Sequence, residues 1–139
     1  MAAPGLRALR PAGFGASQAP YSPGVLADHP TAVLYLAGQV PTGADGVTVG
    51  EGDFATQAKK VFENIGAVLA EAGMDFSNVV KFTNFLVDPA HLPDLRAVRG
   101  ELWPQFFPDG SFPADTLLVV ARLARPEFLL EIEATAVRC

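Results

Sequence analysis

Two glutamates, Glu131 and Glu133, stand two residues apart in the run FLLEIEATAV, residues 128–137. In an extended strand such residues share a face, roughly 7 Å apart by strand rise. Carboxylates that close raise one another's proton affinity, which suits a pair that works as acid and base. A solvated polar strand face accounts for the same pattern with no chemistry at all. A third carboxylate, Asp115, sits at the mouth of the apolar, β-branched run DTLLVVARLA, residues 115–124. A charge in that place faces either water at the strand end or a ligand.

The other reactive side chains offer less. His29 and His91 lie in turn-like sequence without a second ligand at metal-binding spacing, so a metal is unsupported. The glycine-rich stretch PTGADGVTVGEGD (41–53) lacks the Gly-Lys-Ser/Thr of a phosphate loop and matches no nucleotide fingerprint. No Gly-x-Ser-x-Gly elbow occurs. Cys139 is the single cysteine, so no intrachain disulfide forms, which fits a reducing compartment, and nothing beside it in sequence lowers its pKa. From residue chemistry alone, the acidic strand pair is the candidate site.

These residues need elements to hold them. Residues 11–24, rich in Pro, Gly and Ala, read as a loop carrying Tyr21. TAVLYLAGQV (31–40) reads as a strand. Asp53 is the expected N-cap of a helix over 54–72, whose apolar face is Phe54, Ala58, Val61, Phe62, Ile65, Val68, Leu69 and Ala72, with Gly73 as its stop. A strand follows at 78–88, closed by Asp88-Pro89. A second helix over 92–103 buries Leu92, Leu95, Val98, Leu102 and Trp103, is weakened by Gly100 and ends at Pro104. Two last strands, 115–124 and 128–137, are expected on either side of a short Arg125-Pro126 turn. The order gives one α+β domain over residues 1–139, with 1–15 a loosely ordered N-terminal segment. Two helices cover one face of such a sheet, so a partner subunit is expected on the other.

Bulk composition points the same way. Half the 139 residues are apolar, and the 18% charged is below the roughly 25% of ordinary domains, which suggests surface hidden in an oligomer. The net charge of −5 and ten scattered Lys and Arg argue against nucleic acid as a partner. No apolar run reaches the ~20 residues of a membrane span, and no signal-peptide pattern opens the chain, so a soluble cytoplasmic protein is expected.

The stretches QAPYSPG, LYLAGQV, QAKKVFENIGAVLAEAGMDFSNVVKFTNFLVD, FPA, VARL and EIEATAVR, in that order, resemble the RidA (YjgF-type) family from about residue 16 onward. The resemblance implies a chorismate-mutase-like α+β fold, a mixed β-sheet with two helices on one face. It further implies a homotrimer around a central β-barrel, with small-molecule pockets between subunits. The implied activity is hydrolysis of reactive enamines and imines to ketones and ammonia, without metal or organic cofactor. By this likeness Tyr21 is the loop tyrosine that closes the pocket. Gly38 is the glycine of the family's Ser-Gly-Gln, with Ala37 in place of the serine, and Glu131 is the glutamate that positions water. The family's pocket asparagine falls at Arg99 or Gly100. Trp103 would wall the cleft beside Tyr21, and backbone groups around Gly38, Thr116 and Leu117 would orient the ligand.

One departure stands out. Deaminase members read Phe-Pro-Ala-Arg where this chain reads Phe112-Pro113-Ala114-Asp115, which exchanges a guanidinium for a carboxylate. The resemblance then implies a cleft where Asp115 and Glu131 meet one ligand, neutral or cationic at residue 115, with Asp115 as cation holder or second acid–base group. An ordinary 2-iminobutyrate deaminase is not expected. The alternative is a non-catalytic, small-molecule-binding or chaperone-like trimer.

Overall fold

The computed structural model describes residues 3–15 and 20–139. Its longest helix, α1 (Phe54–Glu71), begins where Asp53, itself extended, accepts a hydrogen bond from the Thr56 amide. The apolar stripe read from the sequence is its buried face, with Phe54, Ala58, Val61, Phe62, Ile65 and Leu69 all in the core. Gln57 is buried with them. Its side-chain amide donates to the Gly50 and Glu127 carbonyls at 3.2 and 2.9 Å and accepts from the Leu129 amide at 2.9 Å, tying two loops to α1.

Helix α1 packs on a four-stranded sheet made of β3 (Ala32–Gln39), β4 (Val79–Leu86), β5 (Ala114–Val119) and β6 (Leu130–Arg138), in the order β3-β6-β4-β5. Strand β6 lies between β3 and β4, antiparallel to both, and buries Leu130, Ile132, Ala134 and Ala136 under the helices. The second helix, α2 (Leu92–Phe106), crosses from β4 to β5, which pair in parallel. The architecture is the expected mixed sheet with two helices on one face. The other face is left with Tyr35 79% exposed and Val33 and Leu118 nearly half so. No described helix is long and apolar enough to cross a membrane.

Three local expectations fail, each for a physical reason. The last two strands do not form a close pair around Arg125-Pro126. Strand β5 stops at Val119, and residues 120–129 carry the chain past β4 to the sheet's centre. Helix α2 does not end at Pro104. The proline costs one hydrogen bond, to the carbonyl of exposed Gly100, and the Phe107 amide closes the last turn on Trp103 at 2.7 Å. The segment before residue 15 is not loose where it is described. Strand β1 (Leu6–Leu9) pairs with β2 (Gly24–Ala27) in an antiparallel ribbon, because its apolar residues find a partner strand just after the expected loop. Residues 16–19 of that loop, and residues 1–2, lie outside the described residues.

Replacing Gln57 with alanine leaves the Leu129 amide and two carbonyls without this partner. Chemical denaturation of Gln57→Ala is expected to show a loss of about 1–3 kcal/mol or more, with the connection over 120–129 becoming the first region to exchange its amide protons.

Candidate functional site

Strand β4 carries Asn84 on its helix-facing side, fully buried. Its side-chain amide donates to Asp115 Oδ1 at 2.8 Å and to the Thr116 carbonyl at 2.9 Å. Its carbonyl accepts from Arg99 Nη2 at 2.6 Å. Arg99, on α2, closes the triangle by forking onto Asp115, with Nη2 to Oδ1 at 3.0 Å and Nη1 to Oδ2 at 3.3 Å. The two side chains are 12% and 13% exposed, so the ion pair is largely withdrawn from water. Behind it, the Arg99 guanidinium lies 4.9 Å from the Trp103 ring.

This cluster is one wall of a cavity of about 290 Å³, at the small end of ligand pockets. Leu92, Leu95, Arg96 and Arg99 of α2, Asp115 and Leu117 of β5, and Pro20 and Tyr21 line it. Tyr21 is held there from both sides. The Pro20 carbonyl accepts from Trp103 Nε1 at 3.2 Å, and the Ser22 hydroxyl donates to the Phe112 carbonyl at 2.6 Å. Trp103 itself is buried among Phe62, Phe82 and Phe107. It backs the pocket and does not wall it, contrary to expectation, because the Arg99 guanidinium, one turn earlier on the same helix face, lies over its ring.

Glu131 belongs to a different place. Register sets it opposite Phe85, with Glu133 opposite Thr83, on the sheet face away from the helices. Burial first, and the charge of Glu133 second, raise the Glu131 carboxyl above its ordinary range. The side chain lies over Gly38, where an added Cβ would sit 2.9 Å from Glu131 Cγ and 2.7 Å from Cδ. Gly38 and Ala37 form an irregularity in the β3–β6 pairing between Leu36 and Gln39. A bulge of this kind re-aims backbone and side chains beside functional sites.

The expected meeting of Asp115 with Glu131 therefore does not occur within the chain. Asp115 and Leu117 look toward α2, whereas Thr116 points to the outer face, its hydroxyl accepting from Lys81 Nζ. Nor does Asp115 offer an uncompensated negative charge, because Arg99 neutralises it. Tyr21, Arg99, Asp115 and Leu117 gather around the pocket on the helix side, and Ala37, Gly38 and Glu131 gather on the other side of the sheet. Sequence reading missed Asn84, whose signal was a lone amide at a buried strand position, and Arg96, one helical turn before Arg99.

The chain matches the family model described as Endoribonuclease L-PSP over residues 14–138. It is 39% identical over 119 residues to the RutC family protein slr0709 of Synechocystis, covering 85% of each chain. It is 36% identical over 119 residues to the human 2-iminobutanoate/2-iminopropanoate deaminase, covering 86% of this chain and 80% of the human one. Among solved structures, a Rid-family protein of Yersinia pestis, YyfB, superposes with a TM-score of 0.82 at 32% identity, over 96% of this chain and 98% of that one.

Asp115→Ala strands the Arg99 charge in the cluster, and a loss of about 3–5 kcal/mol is expected from denaturant melts at fixed protein concentration. Replacing both members with leucine should recover most of that loss, since the orphaned charge and not the missing attraction carries it.

Proposed function

The chain belongs to the endoribonuclease L-PSP family, which includes the Rid and YjgF proteins, and on that footing we propose that it hydrolyses a small imine or enamine in a cleft between subunits of a homotrimer. The observation that carries this reading is Glu131, a carboxyl of raised proton affinity laid in a niche that Gly38 leaves open. Such a group takes a proton from water as the oxygen attacks the imine carbon. It returns that proton to nitrogen to give the hydroxy-amine adduct and then carries the adduct's hydroxyl proton to nitrogen in the same way, so that the C–N bond breaks, the carbonyl forms and ammonia leaves. The half-sites on opposite sides of one sheet cannot serve one small molecule alone. A neighbour that docks its outer face beside the α2–β5 pocket supplies its own Glu131 to the ligand there, and the exposed apolar residues of that face support such an assembly.

A net charge of −5 supports a small-molecule substrate over RNA, whose backbone requires a basic surface. The substrate differs from that of the human relative. A 2-imino acid would present its carboxylate to a guanidinium, and here the fork of Arg99 is already filled by Asp115. A tethered carboxylate with Asn84 as a second anchor outcompetes a free one at ordinary concentrations.

Ammonia release tests this directly, with 2-iminobutanoate generated by an amino-acid deaminase and an uncharged imine generated by a flavin amine oxidase. Wild type is expected to favour the uncharged imine, Asp115→Asn to gain on 2-iminobutanoate about tenfold, and Glu131→Gln to lose both. Efficient wild-type turnover of 2-iminobutanoate, lowered by Asp115→Asn, would refute the specificity argument. Unimpaired turnover by Glu131→Gln would refute the mechanism.

Stability supplies a second readout. A carboxyl whose folded pKa is raised carries no penalty below its unfolded pKa. It destabilises the fold as pH rises from the usual glutamate range through the raised value. Glu131→Gln should therefore melt higher than wild type near pH 7, with the difference vanishing near pH 3.

A further inference from the structure

The pocket holds a second arginine, three residues before the first. Arg96 and Arg99 stand on one side of α2 and both line the cavity. Their situations differ. Arg99 is mostly buried and spends its fork on Asp115, so that pair brings no net charge to the ligand. Arg96 is exposed, and among the described residues it has neither a hydrogen bond nor an ion pair. It is therefore the uncompensated charge of the pocket, whose other lining residues are Leu92, Leu95, Leu117, Pro20 and Tyr21.

The position of Arg96 fixes where an anion would sit. Three residues of helix rise place it about 4.5 Å from Arg99 along the axis, and its greater exposure sets its side chain at the open rim of the pocket. The neutralised Arg99 does not repel Arg96, so the guanidinium is free to turn into the opening. Its planar fork matches a carboxylate and is more weakly hydrated than an ammonium, which suits a half-desolvated rim.

We propose that Arg96 is the anion subsite of this pocket. Its ligand is a small monocarboxylic acid whose charged end stays at the mouth while an uncharged, largely apolar body lies between Leu92, Leu95 and Leu117. This deepens the hydrolase reading, on which it rests for the nature of the reacting group. The substrate class becomes an acid whose carboxylate is separated from the imine carbon by a short apolar chain, in contrast to a 2-imino acid, where the two are bonded.

Calorimetric titration with matched probes tests the subsite without turnover. The probes are 4-methylpentanoate, its uncharged amide, and 2-oxobutanoate as the short acid. Wild type is expected to bind 4-methylpentanoate about tenfold or more tightly than the amide, and 2-oxobutanoate more weakly than 4-methylpentanoate. Arg96→Gln should remove the preference for the acid and leave amide binding and the melting temperature unchanged, while Arg96→Lys keeps part of the preference. Equal binding of acid and amide by wild type, or an unaltered acid preference in Arg96→Gln, would overturn the proposal. Glu131→Gln separates the two readings. If it binds the acid like wild type while no imine is hydrolysed by any form of the protein, the subsite stands and the hydrolase falls. If imines are hydrolysed but Arg96→Gln changes nothing, the reverse holds.

Discussion

Withdrawing a guanidinium and a carboxylate from water costs several kcal/mol per ion, and only good geometry with further hydrogen bonds returns it. Here the geometry is a fork, and the further bonds come from Asn84, which donates to Asp115 and accepts from Arg99 in the same plane of contacts. The rest of the site follows from this triangle. It joins β4, β5 and α2 at one point and fixes the angle at which α2 lies over the sheet edge. It also leaves the Arg99 guanidinium against Trp103, whose indole nitrogen in turn holds Pro20 and so places Tyr21. A leucine cluster in the same volume would hold the elements at least as tightly. What it would not do is fix orientation, since apolar contacts are non-directional while a fork and an amide admit one arrangement.

The sheet then divides the chemistry. Residues 115 and 131 are both odd-numbered, yet they look to opposite faces, because strand parity is set by register and not by number. Asp115 pairs with Phe82, an inward residue, whereas Glu131 pairs with Phe85, an outward one. The Glu131 carboxyl on the outer face and the α2–β5 pocket on the inner edge therefore do not reach one another within one chain, and the proposed reaction joins them through a second copy. The low charge fraction and the exposed Tyr35 on the outer face are what such a proposed assembly would call for.

The sequence carried the long elements well, because α1 and β6 have unambiguous periodicity and clear boundaries at Asp53, Gly73 and the 128–137 alternation. It was silent on pairing. Two apolar runs separated by Arg125-Pro126 look like a hairpin, and only the crossover of α2 reveals that β5 belongs in parallel beside β4. The β1–β2 ribbon was hidden by the Pro and Gly around it, which mask a four-residue strand. At the site, the charge of Asp115 was visible in one stretch, and its compensation sixteen residues earlier was not, since no local rule links a helix arginine to a strand aspartate. Reading Asp115 alone therefore gave the cleft the wrong sign of charge.

That compensation bears on how a pocket of this kind changes specificity. A guanidinium on the strand facing an uncharged helix residue would leave its charge to a ligand, whereas arginine at residue 99 with aspartate at residue 115 quenches that charge within the cluster. An Asp115→Arg change by itself would set two guanidinium groups around the Asn84 amide, where one carbonyl cannot satisfy both and like charges repel in a half-dry space. Changing Arg99 by itself would leave a carboxylate with only the Asn84 amide. Each single step passes through an unpaired, mostly buried charge, the most destabilising state available to the cluster. The two arrangements are thus separate solutions for one backbone. In the arrangement present here the guanidinium is spent on a tethered carboxylate, so the cluster itself offers an incoming acid no free charge.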